Sequence, residues 1–170
     1  MQPRIEIISE KIFAGKRMSM SFSNDSTTLL WQSFMPNRHQ IASKIGTNLY
    51  SIELFPNDYF DHFNPDALFT KWAAVEIEEN TNVASGMELL LCPAGKYAVF
   101  VHKGLASEGE RTYRYIYETW LPSTNYAVDQ RPHFAVMGEK YKHGDPESEE
   151  EIWIPIIEKE FKLIEYLIRK

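Results

Sequence analysis

The sequence contains two related copies of one pattern, and this duplication constrains the fold more than any other feature. Four stretches recur in the same order, at offsets of 80, 86, 84 and 79 residues: 14–16 with 94–96, 27–36 with 113–122, 50–52 with 134–136, and 72–77 with 151–156. Units of this size cannot bury their apolar faces alone and pack against each other. The repeat therefore predicts one domain built from two halves, with ligands expected at the seam between them.

The chain length fits this interpretation. With 170 residues it is long enough to bury a core without disulfides or metal. We predict a single domain, with copy one at about 4–78, copy two at about 87–156 and a C-terminal extension at 157–170.

Composition excludes several classes of function. The single cysteine, Cys92, rules out internal disulfides and cysteine-based zinc clusters. The net charge of −6, without a dense Lys/Arg run, argues against nucleic acid as a partner. No apolar stretch approaches the roughly 20 residues of a membrane span. The five histidines do not have metal-ligand spacing. We expect a cytoplasmic protein that uses neither metal nor cofactor.

Periodicity predicts an α+β fold in which each copy reads β-α-β-β. An alternating stretch over 4–22 predicts a long or bent strand, and helices are expected from about Thr27 and over about 110–121. The other predicted strands are 50–54, 71–77, 87–91, 96–102, 133–138 and 150–156. From Ile157, apolar residues at helical spacing predict a short extra helix. We expect an antiparallel sheet with helices on one face and a ligand groove on the other.

Strand alternation selects the residues of that groove. On the last strand, Ile152, Ile154 and Ile156 are uniformly apolar and should lie under the helices, so Glu151 and Trp153 share the opposite face. The same reasoning puts Trp72 and Tyr97 on the face of Glu151. A carboxylate among aromatic rings attracts a planar cation, and partial burial would raise its pKa.

Each of these residues also has a simpler interpretation. Glu151 can be a solvated edge carboxylate of the acidic run 147–151, and Trp72 and Trp153 can belong to the core. Tyr97 can be a buried tyrosine bonded to a main-chain carbonyl. The aromatic loop residues Tyr59, Phe60 and Phe63 are candidates for a lid over the groove, or for a loop that packs on itself.

Several motifs together resemble a known family. The segments 94–100 and 102–104, the helix end Trp120-Leu121-Pro122 and the closing strand 151–156 are similar to the GyrI-like small-molecule-binding family. That family includes the effector-binding domains of multidrug-sensing bacterial transcription activators. The resemblance implies a pseudo-twofold domain with a central groove, where an acidic residue at the position of Glu151 contacts lipophilic cations.

The resemblance leaves the function open between a binder and an enzyme. The leading hypothesis is a stand-alone protein that binds lipophilic, cationic aromatic compounds. An alternative is a hydrolase of cyclopropane-bearing DNA-alkylating natural products, with Glu151 and Tyr97 as catalytic candidates. A further alternative is a partner-binding module such as a gyrase inhibitor.

Two departures from the transcription activators refine the expectation. No helix-turn-helix region precedes Arg4, so we expect no direct DNA binding. Residues 161–170 extend past the usual end of the family pattern and are candidates for covering a groove mouth or supporting a dimer.

Overall fold

The computed structural model describes residues 1–78, 82–83 and 85–159, which form nine strands and two α-helices. The strands are β1 (Arg4–Ile8), β2 (Lys11–Met20), β3 (Leu49–Leu54), β4 (Phe69–Ile77), β5 (Glu88–Cys92), β6 (Gly95–Lys103), β7 (Tyr126–Val128), β8 (His133–Met137) and β9 (Glu149–Glu158). The helices are α1 (Thr27–Phe34) and α2 (Gly109–Arg114), and α2 continues as a π-helical segment, Tyr115–Trp120. In the described ranges no helix has the length and apolar character needed to cross a bilayer.

Local chemistry explains where α1 begins and ends. The carboxylate of Asp25 accepts a hydrogen bond from the backbone N–H of Thr27 (2.8 Å), which satisfies a donor at the start of the helix. Leu30 and Phe34, four residues apart, are both fully buried. Pro36 lies in the 3-10 turn that follows, Met35–Gln40, because proline cannot continue an α-helix.

The strand order confirms the duplication. The strands lie in the order β1-β6-β9-β8-β3-β4-β2-β5, all antiparallel, and β7 pairs with the far end of β9. In the repeat, β1, β2, β3 and β4 correspond to β5, β6, β8 and β9. Exchanging each strand for its counterpart gives the same order in reverse. The pseudo-twofold axis therefore passes between β3 and β8, and the predicted α+β fold with an antiparallel sheet is confirmed.

The register corrects one of the four sequence matches. Gly15 pairs with Ala74 on β4, and the residue equivalent to Ala74 is Trp153, which pairs with Val99. Gly15 is thus equivalent to Val99 at an offset of 84, the same offset that relates β3 to β8. The Ala-Gly-Lys match at an offset of 80 is a coincidence, since Gly95 begins β6 whereas Gly15 lies inside β2.

The first strand of each half pairs with a strand of the other half. β1 pairs with β6, and β5 pairs with β2. Only Ser9 and Glu10 separate β1 from β2, although these strands lie near opposite edges of the sheet. A connection this short spans about 10 Å, so the two edges must approach each other and the sheet must curl.

Curling encloses one face of the sheet. Residues from both edge regions belong to one buried cluster, with Phe13 from β2, Cys92 from β5 and Tyr97 from β6. The sulfur of Cys92 lies 3.3 Å from the hydroxyl of Tyr97. We call this enclosed side the inner face; it has a filled core without a covering helix.

The helices pack on the other side of the sheet, which we call the outer face. α1 covers β2 and β4 through a cluster that includes Leu30, Phe34 and Ala73. α2 and its π-helical continuation cover β6 and β9 through Ile116 and Trp120. The central strands β3 and β8 thus lie between the two helices.

Two predicted elements differ from the structure, and one observed strand was not predicted. The long strand over 4–22 is two strands, because the chain turns at Ser9 and Glu10. The short strand β7 had no sequence prediction. Ile157 belongs to β9 because its backbone pairs with Ala127, so no helix begins there. The rest of the predicted C-terminal helix, from residue 160 on, lies outside the described residues.

Candidate functional site

Tyr97 and Trp72 lie on the inner face, where the alternation put them, but the face is not an open groove at their positions. Tyr97 is 0 % and Trp72 is 3 % exposed, because the curled sheet closes around them. The Tyr97 hydroxyl donates a hydrogen bond to the carbonyl oxygen of Pro132 (2.9 Å), and burial raises its pKa. This is the buried, carbonyl-bonded tyrosine of the simpler interpretation.

Glu151 and Trp153 do come together, at the rim of the inner face. The indole Nε1 of Trp153 donates to Oε2 of Glu151 (3.1 Å), and Arg4 donates to Oε1 (2.7 Å). The guanidinium of Arg4 also lies 5.5 Å from the Trp153 ring centroid. A cation and an indole of the chain itself thus already surround this carboxylate, whose side chain is 35 % exposed.

The aromatic loop packs on the outer face, away from Glu151. Tyr59 packs against the cluster under α1, and Phe60 stacks on His133 of β8 (ring centroids 5.5 Å apart). Phe63 is 81 % exposed. The structure therefore does not bring the three lid candidates together with the predicted site residues.

The helices cover the strands on either side of β3 and β8, and we infer a groove along these two central strands. Its floor carries small side chains at the pseudo-twofold axis, where Ser51 pairs with Ala135. Leu49, Ser51 and Met137 keep partial solvent exposure. Small side chains on the floor and helices on both sides produce a concave surface, which is where ligands usually bind.

Aromatic side chains form the walls of this groove. On the α2 side, the Tyr117 hydroxyl lies 3.2 Å from Nδ1 of His133, which directs the ring toward the central strands. On the α1 side, Trp31 lies roughly opposite Ser33 around the helix, and Ser33 accepts a hydrogen bond from Lys16 of β2. Trp31 therefore faces the centre, and the repeat makes it the counterpart of Tyr117.

Phe60 and His133 close one end of the groove. Phe60 stacks on Tyr117 with ring centroids 5.2 Å apart. Burial lowers the pKa of His133 to about 3, so its imidazole is neutral near pH 7. This end of the groove is therefore aromatic and uncharged.

Two carboxylates face the groove in different electrostatic situations. Glu53 on β3 pairs with Lys71 on β4 (Oε1 to Nζ 3.2 Å). Burial raises the pKa of Glu53 although 14 % of its side chain remains exposed. Burial also raises the pKa of Glu150 on β9, whose carboxylate has neither a hydrogen bond nor an ion pair within the described part of the chain.

Tyr113 lies between these two acids. It is one helical turn before Tyr117, and the negative charges of Glu53 and Glu150 both raise its pKa, after burial as the largest cause. Its hydroxyl is therefore neutral and can donate a hydrogen bond to a carboxylate or to a ligand. The groove thus combines anionic side chains, hydroxyls and aromatic surface.

Two surface cavities flank the groove. One of about 190 Å³ is lined by Leu49, Val75 and Lys44, beside the end that carries Glu150. The other, of about 370 Å³, is lined by Phe60, Leu121 and Tyr126 at the opposite end. A ligand in the groove has space to extend at either end.

The sequence analysis did not name Glu150, Glu53, Lys71 or the helix aromatics as candidate site residues. It assumed that the face without helices is the open one, whereas curling closes that face. The sequence did contain a signal for Glu150. Side chains alternate between the faces of a strand, so Glu150 lies on the same face as Ile152 and Ile154 and is a charged residue on an otherwise apolar face covered by helices. Such a charge under helices calls for a partner or a ligand.

Comparison with known proteins agrees with the observed fold. The model of the GyrI-like small molecule binding domain matches residues 1–157. The chain belongs to the GyrI-like family. Within the described residues of this GyrI-like chain, no group of three or more His, Cys, Asp or Glu side chains is arranged to hold a metal ion.

This GyrI-like chain is similar in sequence to a transcriptional regulator. It is 30 % identical over 139 residues to the transcriptional regulator BrlR of Pseudomonas aeruginosa, covering 80 % of this chain and 48 % of BrlR. The chain therefore spans about half the length of that relative.

Two solved structures share the fold. SAV2435 bound to tetraphenylphosphonium has a TM-score of 0.65 at 16 % identity, covering 92 % of this chain and 94 % of SAV2435. A hydrolase encoded by lin2189 from Listeria innocua has a TM-score of 0.58 at 13 % identity, with 92 % of each chain covered.

Proposed function

We propose that this protein binds lipophilic compounds that carry a positive charge and aromatic surface, in the groove between α1 and α2. Glu150 supplies the counter-charge, and Trp31 and Tyr117 supply stacking surfaces. The observation that carries the proposal is the carboxylate of Glu150, which is half-buried and forms neither a hydrogen bond nor an ion pair with any described side chain. A bound cation would restore the charge compensation that burial removed.

The charge of the groove supports a cationic ligand. Lys71 forms an ion pair with Glu53, whereas its charge acts on Glu150 only from a longer distance. His133 is uncharged near neutral pH. Glu150 therefore lies beside aromatic rings without a direct ion pair among the described residues, and rings attract cations through their quadrupoles.

The relative SAV2435, which binds the lipophilic cation tetraphenylphosphonium, supports the same ligand class. At 16 % identity this similarity supports the fold, and binding of the same ligand class by this chain is our proposal.

Glu150 is the better counter-charge because the carboxylate of Glu151 is already occupied. Arg4 and Trp153 take both of its oxygens, so a ligand would have to displace an ion pair there. The sequence-based choice of Glu151, Trp153, Trp72 and Tyr97 stays a competing proposal for the same function, with the ligand at the inner face.

Titration of tryptophan fluorescence with tetraphenylphosphonium tests the proposal and separates the two sites. Replacing Glu150→Gln removes the charge and keeps the shape, and we expect affinity to fall by about 1–3 kcal/mol, the scale of a charge-assisted contact. Glu151→Gln is the matched control, adjacent in sequence, and should change affinity less than about twofold. The reverse ranking would assign the ligand to the inner face, and no quenching by wild type would reject the binding role.

A hydrolase is the second candidate, favoured by the proximity of a carboxyl of raised pKa to a tyrosine hydroxyl. Glu150 and Tyr113 are the groups that would activate water toward a strained ring. Incubation with a cyclopropane-bearing alkylator distinguishes the two functions by mass analysis. Catalytic turnover to the hydrated product indicates an enzyme, and recovery of the intact compound indicates a binder.

A further inference from the structure

We infer that Lys71 limits the groove to ligands with a single positive charge. The inference rests on the binding role proposed above and adds to it a rule of charge selectivity. It follows because Glu53 has an ion-pair partner, Lys71, whereas Glu150 has none among the described residues.

Lys71 neutralises one end of the groove from within the fold. It lies directly opposite Glu53 in the β3–β4 ladder, with Nζ 3.2 Å from Oε1. Both side chains are largely buried, at 17 % and 14 % exposure. Asp25, at the start of α1, adds a second negative charge that acts on Lys71. An additional cation arriving here would meet an ammonium group already in place.

At the other end of the groove, no cation among the described residues forms an ion pair with Glu150, although the charges of His102 and Lys71 act on its carboxyl from a longer distance. Glu53 pairs with His133 at the start of β8. Glu151 pairs with Val136 near the end of β8, and Glu150 lies one residue further along, so the two carboxylates belong to opposite ends of this strand. Four residues along a strand and two strand spacings put these backbone positions roughly 15 Å apart. His102 pairs with Glu150 in the β6–β9 ladder, but its Nε2 donates to the carbonyl oxygen of Leu105 and its Nδ1 forms a hydrogen bond with the hydroxyl of Thr112.

The two ends thus favour one ligand charge. A monocation can place its charge at Glu150 and its apolar part along Trp31 and Tyr117. A dication must bring its second charge to Lys71, where like-charge repulsion opposes binding. Removing the Lys71 ammonium would expose a second carboxylate at the distance that a bis-cation can span.

A matched pair of probes tests this rule by calorimetric titration. Decyltrimethylammonium and decamethonium share a ten-carbon chain and differ in having one or two quaternary ammonium groups. Wild type should bind the monocation at least as tightly as the dication. In Lys71→Met the preference should shift toward the dication by roughly tenfold, and in the double variant Lys71→Met with Glu53→Gln it should return to the monocation.

Glu53→Gln alone gives the opposite change and does not depend on Lys71→Met folding well. Glu53→Gln leaves the Lys71 ammonium without its ion-pair partner, so both probes should bind more weakly and the dication should lose more affinity than the monocation. An unchanged preference in both single variants, with monocation binding still weakened by Glu150→Gln, overturns the inference and leaves the binding role intact. Failure of wild type to bind either probe rejects the binding role and the inference together.

Discussion

Glu150 and Glu151 are neighbours in β9 whose carboxylates lie on opposite faces of the sheet. Glu151 is bonded by Arg4 and Trp153 at the rim of the inner face, whereas Glu150 lies unpaired on the outer face between the helices. One peptide unit therefore separates a satisfied carboxylate from one that burial disfavours in its charged form. This difference makes the pair an internal control for experiments on charge.

Binding of a permanent cation should depend on pH through Glu150. Burial raises the pKa of this carboxyl, and the protonated form has no charge to offer. Affinity for tetraphenylphosphonium should be constant well above that pKa and fall as pH decreases through it, by the same total factor that Glu150→Gln produces. Fluorescence titrations across pH measure this, and a flat profile in wild type would contradict it. In Glu150→Gln the profile should be flat.

Removing the Glu150 charge should stabilise the empty protein. A carboxyl whose folded pKa lies above its unfolded value of 4.5 destabilises the fold most at pH values above the folded pKa. That destabilisation is relieved as pH falls through the folded pKa toward 4.5. Glu150→Gln should therefore raise Tm at pH 8, with the gain shrinking at acid pH.

Glu151→Gln provides the comparison for that stability measurement. It weakens a half-exposed contact with Arg4 and should reduce stability by no more than about 1 kcal/mol. Equal effects of the two substitutions on Tm at pH 8 would mean that Glu150 is solvated rather than buried.

Tyr97→Phe should affect stability and leave ligand binding unchanged. The substitution removes the hydroxyl that donates to the Pro132 carbonyl and leaves that acceptor unpaired in the core. We expect a loss of about 1–3 kcal/mol in the free energy of unfolding, measured with urea. A large loss of cation affinity in this variant would instead support a ligand at the inner face.

Ser51→Leu should block the groove without removing any charge. Ser51 lies on the floor at the pseudo-twofold axis, where a larger side chain would fill the space between α1 and α2. Affinity for tetraphenylphosphonium should fall at least about tenfold with an unchanged circular dichroism spectrum. Val101→Leu adds bulk at an exposed position that pairs with Glu151, and it should bind like wild type. Normal binding by Ser51→Leu would exclude the groove.

The sequence by itself determined most of the elements, the duplication and the side of each strand residue. Leu30 and Phe34 at helical spacing and Ile152, Ile154 and Ile156 at strand spacing are local patterns, so they predicted helix and sheet faces that the structure confirms. Which face of the sheet a strand residue occupies follows from backbone geometry alone.

Only the tertiary structure decided which face is closed. The exchange of β1 and β5 between the halves, and the two-residue connection through Ser9 and Glu10, curl the sheet and bury Tyr97. Pairing between strands distant in the chain is not encoded in any local pattern, so the sequence could not reveal that the aromatic face becomes core. The open surface therefore lies between the helices, at Glu150.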